Sequence, residues 1–216
     1  MKKIVLSVAL AIGLGVANIS AQTVSGGIKA ESNTSGFILN DMDNMKSKLG
    51  FGATIGGFGT IEFNKNFAFR QEMLLHYKNS VMEEKTTGIE MDYQYFGVEI
   101  PMYAIGQLEM GSGKGFVGIG PYVGFGIDAR YKTNGADDIK LYDKIGNTNK
   151  SNMQRMDIGA GLLLGYEFSN KLQINAGYKV GFLDALDSGK KNATMLNHTI
   201  NLGLAYTFGK RITVLW

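Results

Sequence analysis

In residues 115–132, "GFVGIGPYVGFGIDARYK", glycine occupies Gly118, Gly120, Gly124 and Gly126, all of one parity, while Val117, Ile119, Val123, Phe125 and Ile127 occupy the other. A period of two belongs to a β-strand, whose successive side chains point to opposite faces. Glycine weakens a strand and gives it nothing to pack. A strand that repeats it on one face needs space there, while its opposite face is large and apolar.

The pattern recurs along the chain, and helical periodicity is nearly absent. It predicts eight strands near 23–31, 48–63, 67–80, 91–108, 115–131, 153–168, 171–183 and 195–208. The sixth sets Ile158, Ala160, Leu162 and Leu164 against Asp157, Gly159, Gly161 and Gly165. The seventh sets Leu172, Ile174, Ala176, Tyr178 and Val180 against Gln173, Asn175, Gly177 and Lys179. In the third, Phe67, Phe69, Met73, Leu75 and Tyr77 oppose Arg70, Glu72, His76 and Lys78, with Gln71 interrupting the apolar face. The first two strands alternate less cleanly, and "GGFGT" (56–60) suggests a bulge. Pro101 and Pro121 fall inside strands, where each forfeits a ladder hydrogen bond, so a bulge is expected at one or both. The connections alternate between short turns (64–66, 109–115, 169–171) and longer polar segments (32–47, 81–90, 132–152, 184–194), as in an up-and-down barrel.

Alternation leaves open which face points outward. A soluble barrel would hold its apolar face inside, around a ligand; a transmembrane barrel does the reverse. Three features favour the membrane version. Glycine lies on the polar face, where an eight-stranded barrel is narrow. Aromatic residues gather at strand ends: Phe63, Phe67, Phe116, Phe168 and Phe208 by the short turns, Tyr77, Tyr93, Tyr131 and Phe182 by the long loops. The polar face also carries both signs of charge, which can pair in a narrow lumen.

The N-terminus, "MKKIVLSVALAIGLGVANISAQ", has the order of a secretory signal peptide: Lys2 and Lys3, an apolar stretch from Ile4 to Ala17, and the small residue Ala21. Cleavage after Ala21 leaves residues 22–216 as one barrel domain, and cleavage after Ala17 is the alternative. The net charge of +3 falls by two with those lysines, and no basic cluster interleaves with aromatics, which disfavours nucleic-acid binding. With no cysteine, disulfides and thiolate metal sites are excluded. Proline numbers only 2, against 30 glycines, which excludes proline-rich and collagen-like classes.

The segment "YFGVEIPMYAIG" (95–106), then "DIGAGLLLGYEF" followed by "LQINAGYKVGF", and the closing "LGLAYTFG" resemble, in order, the bacterial outer-membrane β-barrel family often labelled porin-family protein. The resemblance covers most of the chain after residue 21. It implies an all-β, eight-stranded antiparallel up-and-down transmembrane barrel, similar in architecture to outer-membrane proteins A and X, in the bacterial outer membrane with a periplasmic N-terminus. Members usually stop at an aromatic that ends the last strand; here "KRITVLW" follows Phe208, so Phe208 and Trp216 both qualify.

The residues expected to matter are the lumen charges Arg70, Glu72, Glu99, Asp128, Arg130, Arg155, Asp157 and Glu167, read first as a structural salt-bridge core and second as a conduction path. "GIGPYVG" and "GAGLLLG" lie within continuing strands, which argues against a phosphate loop. His76 is expected inward near the loop end and His198 on the lipid side. Lipid A deacylases, enzymes of the outer membrane, carry His-x-Ser where this chain has "HYK" and "HTI", and no triad is evident. Asp41, Asp43, Asp137 and Asp138 lack the ligand spacing of a calcium loop. The functional expectation is a structural or surface-interaction barrel acting through its long loops on an unknown ligand. A narrow conduit for ions or small solutes is the alternative, and a lipid-modifying enzyme comes third. No cofactor or metal is expected; the expected partners are outer-membrane lipid and the barrel-assembly machinery.

Overall fold

The computed structural model describes residues 22–133, 139–142, 153–185, 194–208 and 212–214. The leader expected at 1–21, and Trp216, lie outside them. Ten strands follow one another: β1 (Gln22–Asn40), β2 (Met45–Glu62), β3 (Phe67–Glu84), β4 (Glu90–Met110), β5 (Gly113–Thr133), β6 (Ile139–Lys140), β7 (Met156–Glu167), β8 (Leu172–Gly181), β9 (Thr194–Thr207) and β10 (Ile212–Val214). Eight of them form a ring of antiparallel neighbours, β1 to β5 and then β7 to β9, which β1 closes by pairing with β9 from Gly27↔Thr207 to Asn40↔Thr194. The two-residue β6 adds to β5, and β10 continues beyond β9 along the start of β1, from Gln22↔Val214 to Val24↔Ile212. Ile212–Val214 therefore rejoin the wall.

The expected parity holds through most of the wall. Apolar residues such as Ile28, Ile55, Met73, Ile119, Leu164 and Leu202 face outward and are exposed, whereas Lys29, Glu72, Glu99, Gln173 and Asn201 face inward and are buried. β1 is the main departure in length. It runs to Asn40, so most of the segment expected as a loop at 32–47 is strand, and the connection shrinks to Asp41–Asn44, with Asp41 at a φ of 53°.

The bulges also differ from expectation. Pairing keeps one register across Pro101 and Pro121 and through 56–60. A proline deletes a donor without adding a residue, so the ladder can lapse locally and resume in step. The extra residues lie elsewhere. β2 shifts register between Leu49 and Ala53, and β5 holds Ile127 as an added residue opposite Phe96 and Gly97. An added residue exchanges the two faces beyond it. Past Ile127, Ala129 points inward and is 1% exposed, while Asp128 and Arg130 turn outward.

About 9–11 residues of tilted strand cross a bilayer. β1 to β5 hold 19, 18, 18, 21 and 21 residues, against 12, 10 and 14 in β7, β8 and β9. The longer strands rise past the bilayer at the long-loop end. An apolar cluster fills the ring there, with Phe37, Met82, Tyr95, Leu141, Met153 and Met195 all buried. Tyr93 and Tyr131 stack at 5.8 Å and pack against this cluster, so they are not part of the outer girdle, and Phe116 is buried in the lumen. Phe51, Tyr77, Phe125 and Phe182 form the outer aromatic belt at that end.

Within the β2 register shift a Cβ at Gly52 would lie 2.1 Å from the Tyr77 carbonyl oxygen, too close for any side chain; at outward Gly59 a Cβ meets nothing within 4 Å. Gly52→Ala should therefore destabilise the barrel by about 2 kcal/mol or more, and Gly59→Ala should stay within about 0.5 kcal/mol. Urea unfolding in lipid vesicles compares them, and equal midpoints would refute the close backbone approach at Gly52.

Candidate functional site

The lumen is built from inward side chains of all eight ring strands, arranged in layers. Nearest the short turns, Lys114 Nζ lies 2.8 Å from Glu62 Oε1. Beside it the Arg70 guanidinium lies between the rings of Phe58 and Phe116, 4.6 and 4.8 Å from their centroids. It donates to Thr60 Oγ1 at 3.1 Å and to Gln173 Oε1 at 3.3 Å. Gln173 Nε2 in turn donates to Glu167 Oε2 and to Thr207 Oγ1, at 2.9 and 2.8 Å.

Two reciprocal ion groups occupy the middle. Lys29 Nζ bridges two carboxylates, Glu31 Oε1 at 2.8 Å and Glu72 Oε2 at 3.0 Å. Glu99 bridges two ammonium groups, Lys78 at 2.9 Å on one oxygen and Lys179 on the other. Glu31, Glu72, Glu99, Lys29, Lys78 and Lys179 are all buried. A buried charge needs a partner, since removing one ion from a buried pair strands the other without water. Each ion here has one.

Toward the loops the polarity thins. Asp157 Oδ2 accepts from Tyr122 at 3.0 Å and from Asn197 at 3.3 Å. A cavity of about 40 Å³ lies here, lined by His76, Lys78, Glu99, Tyr142, Asp157 and Asn197. His76 Nδ1 sits 3.7 Å from Glu99 Oε2 and, like Asp157 Oδ1, has no hydrogen-bond partner among the described residues. The apolar cluster lies above. Inward glycines receive neighbouring rings: a Cβ at Gly159 would strike Tyr122, at Gly165 Phe116, and at Gly27 Phe58. The vacant positions are thus filled from adjacent strands. Among the described residues no cluster of three or more His, Asp or Glu is placed to hold a metal ion.

Of the eight charges singled out in the sequence, Arg70, Glu72, Glu99, Asp157 and Glu167 point into the lumen. Asp128 and Arg130 do not. The Ile127 bulge turns them to the exterior, where Arg130 Nε holds Asp128 Oδ2 at 2.9 Å with both side chains 46% exposed. Arg155 precedes β7 at the loop end, exposed, stacking on Tyr142 at 4.8 Å and donating to the carbonyls of Ile127 and Tyr142. Arginines were expected to neutralise the lumen acids, but lysines hold Glu31, Glu72 and Glu99. Lys29 and Glu31 were missed because β1 carries small polar residues on its outer face, Ser32 and Thr34, which blur the alternation. The inward series Lys29, Glu31, Asn33, Ser35 was the available signal.

The family model of the outer membrane protein beta-barrel domain matches residues 6–208. The chain belongs to this family. Membership places the barrel in the bacterial outer membrane. Solved structures similar to it include Neisserial surface protein A, at 13% identity over 86% of this chain and 99% of that one, with a TM-score of 0.47. OprG from Pseudomonas aeruginosa is 12% identical over 88% and 97%, with a TM-score of 0.45. Ail from Yersinia pestis is 17% identical over 88% and 99%, with a TM-score of 0.43. None of them bears on what this barrel does. No curated protein matches the chain.

Glu99→Ala strands Lys78 and Lys179 and should cost about 3–5 kcal/mol, whereas replacing the three together by leucine and methionine should recover most of that loss. Arg130→Ala, at an exposed pair, should change stability by less than about 1 kcal/mol. Urea midpoints in lipid vesicles decide; a neutral Glu99→Ala would refute the ion bridge.

Proposed function

We propose that this protein is a plugged outer-membrane barrel with a structural or surface-interaction role, its N-terminus periplasmic and its working surface at the long-loop end. The observation that carries this reading is the filled lumen. Ion bridges on Lys29 and Glu99 cross it, rings occupy its glycine positions, and an apolar cluster lies over its loop end. An ion entering from that end would leave water, pass apolar side chains and then have to displace ions already paired. What remains accessible is the raised wall of β1 to β5 with the connections 41–44 and 85–89. At this rim Lys48 holds Glu83 and Glu90 at 2.8 and 2.6 Å, and these hydrogen bonds raise its ammonium above the ordinary lysine range. Membrane lipid surrounds the barrel, and the barrel-assembly machinery is its partner during insertion. The reading assigns His76 no catalytic role: its ring is buried beside an ion-paired Glu99.

The second reading is a narrow path for ions or small solutes. Its support is the cavity beneath the apolar cluster, where His76 Nδ1 and Asp157 Oδ1 have no hydrogen-bond partner among the described residues.

In planar bilayers the folded protein should give no discrete conductance. Reproducible steps altered by Glu99→Ala and unaffected by Arg130→Ala would replace the plug with the conduit. Orientation is testable because the chain has no cysteine. Asn44→Cys should react with a bulky membrane-impermeant maleimide on intact cells, and Ser169→Cys only after the outer membrane is opened. The reverse pattern would invert the barrel.

A further inference from the structure

The Ile127 bulge changes what the outer wall presents at the long-loop end. Without it the alternation of β5 would carry Arg130 into the lumen; with it, Arg130 and Asp128 face outward. Register then sets a row of polar residues across four strands: Asn79 pairs with Gln94, Gln94 with Arg130, and Arg130 with Lys140 of β6. Directly opposite residues of an antiparallel pair share a face, with Cβ atoms about 4.5–5.5 Å apart. Arg130 and Lys140 are therefore cations side by side on the outer wall, an arrangement that weakens a ladder unless an anion lies between them. Asp128 holds Arg130 through Nε, at 2.9 Å, and leaves the rest of the guanidinium fork. Lys140 is exposed and has no ion-pair partner among the described residues.

The height of this row narrows the anion. The row beneath it is Tyr77, Phe96 and Asp128, in register across β3, β4 and β5, with Tyr77 and Phe96 42% and 41% exposed. Outward rings of this kind mark the edge of the hydrocarbon. Two further residues of strand rise about 6–7 Å, or roughly 5 Å along the membrane normal at a tilt of about 40°. The headgroup layer is itself about 5–7 Å deep on each side. Arg130 and Lys140 thus stand at the depth of lipid phosphates, with Gln94 beside them. Arginine forks onto a phosphate with paired donors, and lysine adds a point charge.

We infer that Arg130 and Lys140 clamp a phosphate of one membrane glycolipid of the lipid A class, its acyl chains running down the outer wall past Phe96 and Phe125. Register and height argue for a lipid phosphate. The choice of lipid A rests on the reading that the long-loop end faces the cell surface, where the leaflet is built of phosphorylated glycolipid.

The test is to load the purified barrel in mild detergent with bisphosphorylated lipid A, with the same lipid stripped of its phosphates, or with phosphatidylglycerol, and to compare retained lipid by native mass spectrometry. The wild-type protein should keep one bisphosphorylated lipid A, about tenfold more firmly than the stripped form and more firmly than phosphatidylglycerol. Arg130→Ala and Lys140→Ala should each lower retention about fivefold, and the double variant by more than about tenfold. Both side chains are exposed, so these variants remove no core packing. Arg130→Lys keeps the charge without the fork and should lower retention less than Arg130→Ala. Asp128→Asn frees the guanidinium and should raise it. Lys48→Ala removes a lysine at the same end that Glu83 and Glu90 already hold, and should retain lipid as the wild type does. Equal retention with and without phosphates, an unchanged double variant, or an equal loss in Lys48→Ala would each overturn the clamp. Firmer retention of phosphatidylglycerol would overturn lipid A as its occupant. Retention in detergent does not depend on which end faces outward, so the labelling of Asn44→Cys and Ser169→Cys decides orientation separately.

Discussion

Hydrocarbon offers no partner to a backbone amide or carbonyl, and the pairing of β1 with β9 is what allows this chain to exist there. An open sheet would carry two unsatisfied edges into lipid. The ladder from Gly27↔Thr207 to Asn40↔Thr194 removes both. Closure with eight strands makes the lumen narrow, and narrowness governs the rest of the interior. It sets how large an inward residue can be and which groups must share the space.

The lumen meets that limit by combining glycine with large rings on neighbouring strands. Phe58 lies over Gly27, Tyr122 over Gly159 and Phe116 over Gly165, so that each vacant Cβ position is occupied by an aromatic from the next strand. Phe58 and Phe116 also sandwich the Arg70 guanidinium. Rings that replace missing side chains therefore also provide the faces against which a buried cation can rest. The remaining ions are matched two to one in both senses, one lysine between two glutamates and one glutamate between two lysines. The same glycine economy has the opposite result outside. At Gly106 a Cβ would meet nothing nearer than Val117 Cγ1 at 3.8 Å, and a groove remains.

Five of the eight charges expected in the lumen lie there because strict alternation from well-patterned strands carries a residue's face reliably over several positions. Arg70 and Glu72 follow from the alternation of β3, and Asp157 and Glu167 from that of β7. Asp128 and Arg130 are on the same parity as Gly124 and Gly126 in the sequence, yet point outward, because a single added residue, Ile127, is invisible to a count by twos. Tyr131 moves inward for the same reason. The identities of the ion partners were also hidden. Lys29 and Glu72 are on different strands 43 residues apart, and Lys179 reaches Glu99 across 80 residues. Only ring order and relative strand stagger bring them together.

The sequence alone determined the strand count, the antiparallel up-and-down order, the lipid-facing surface and the positions where the lumen has space. All of these follow from local information: the period-two pattern, the placement of glycine and the alternation of short and long connections. Tertiary structure decided which strands bulge, how far β1 extends, which ions neutralise one another and where the outer wall is hollow. These depend on register between strands distant in the chain, which is set by packing around the closed ring rather than by any single segment. The tail shows the division. "KRITVLW" reads as an overhang past Phe208, and only the closed barrel gives Ile212–Val214 the free edge of β1 to pair with.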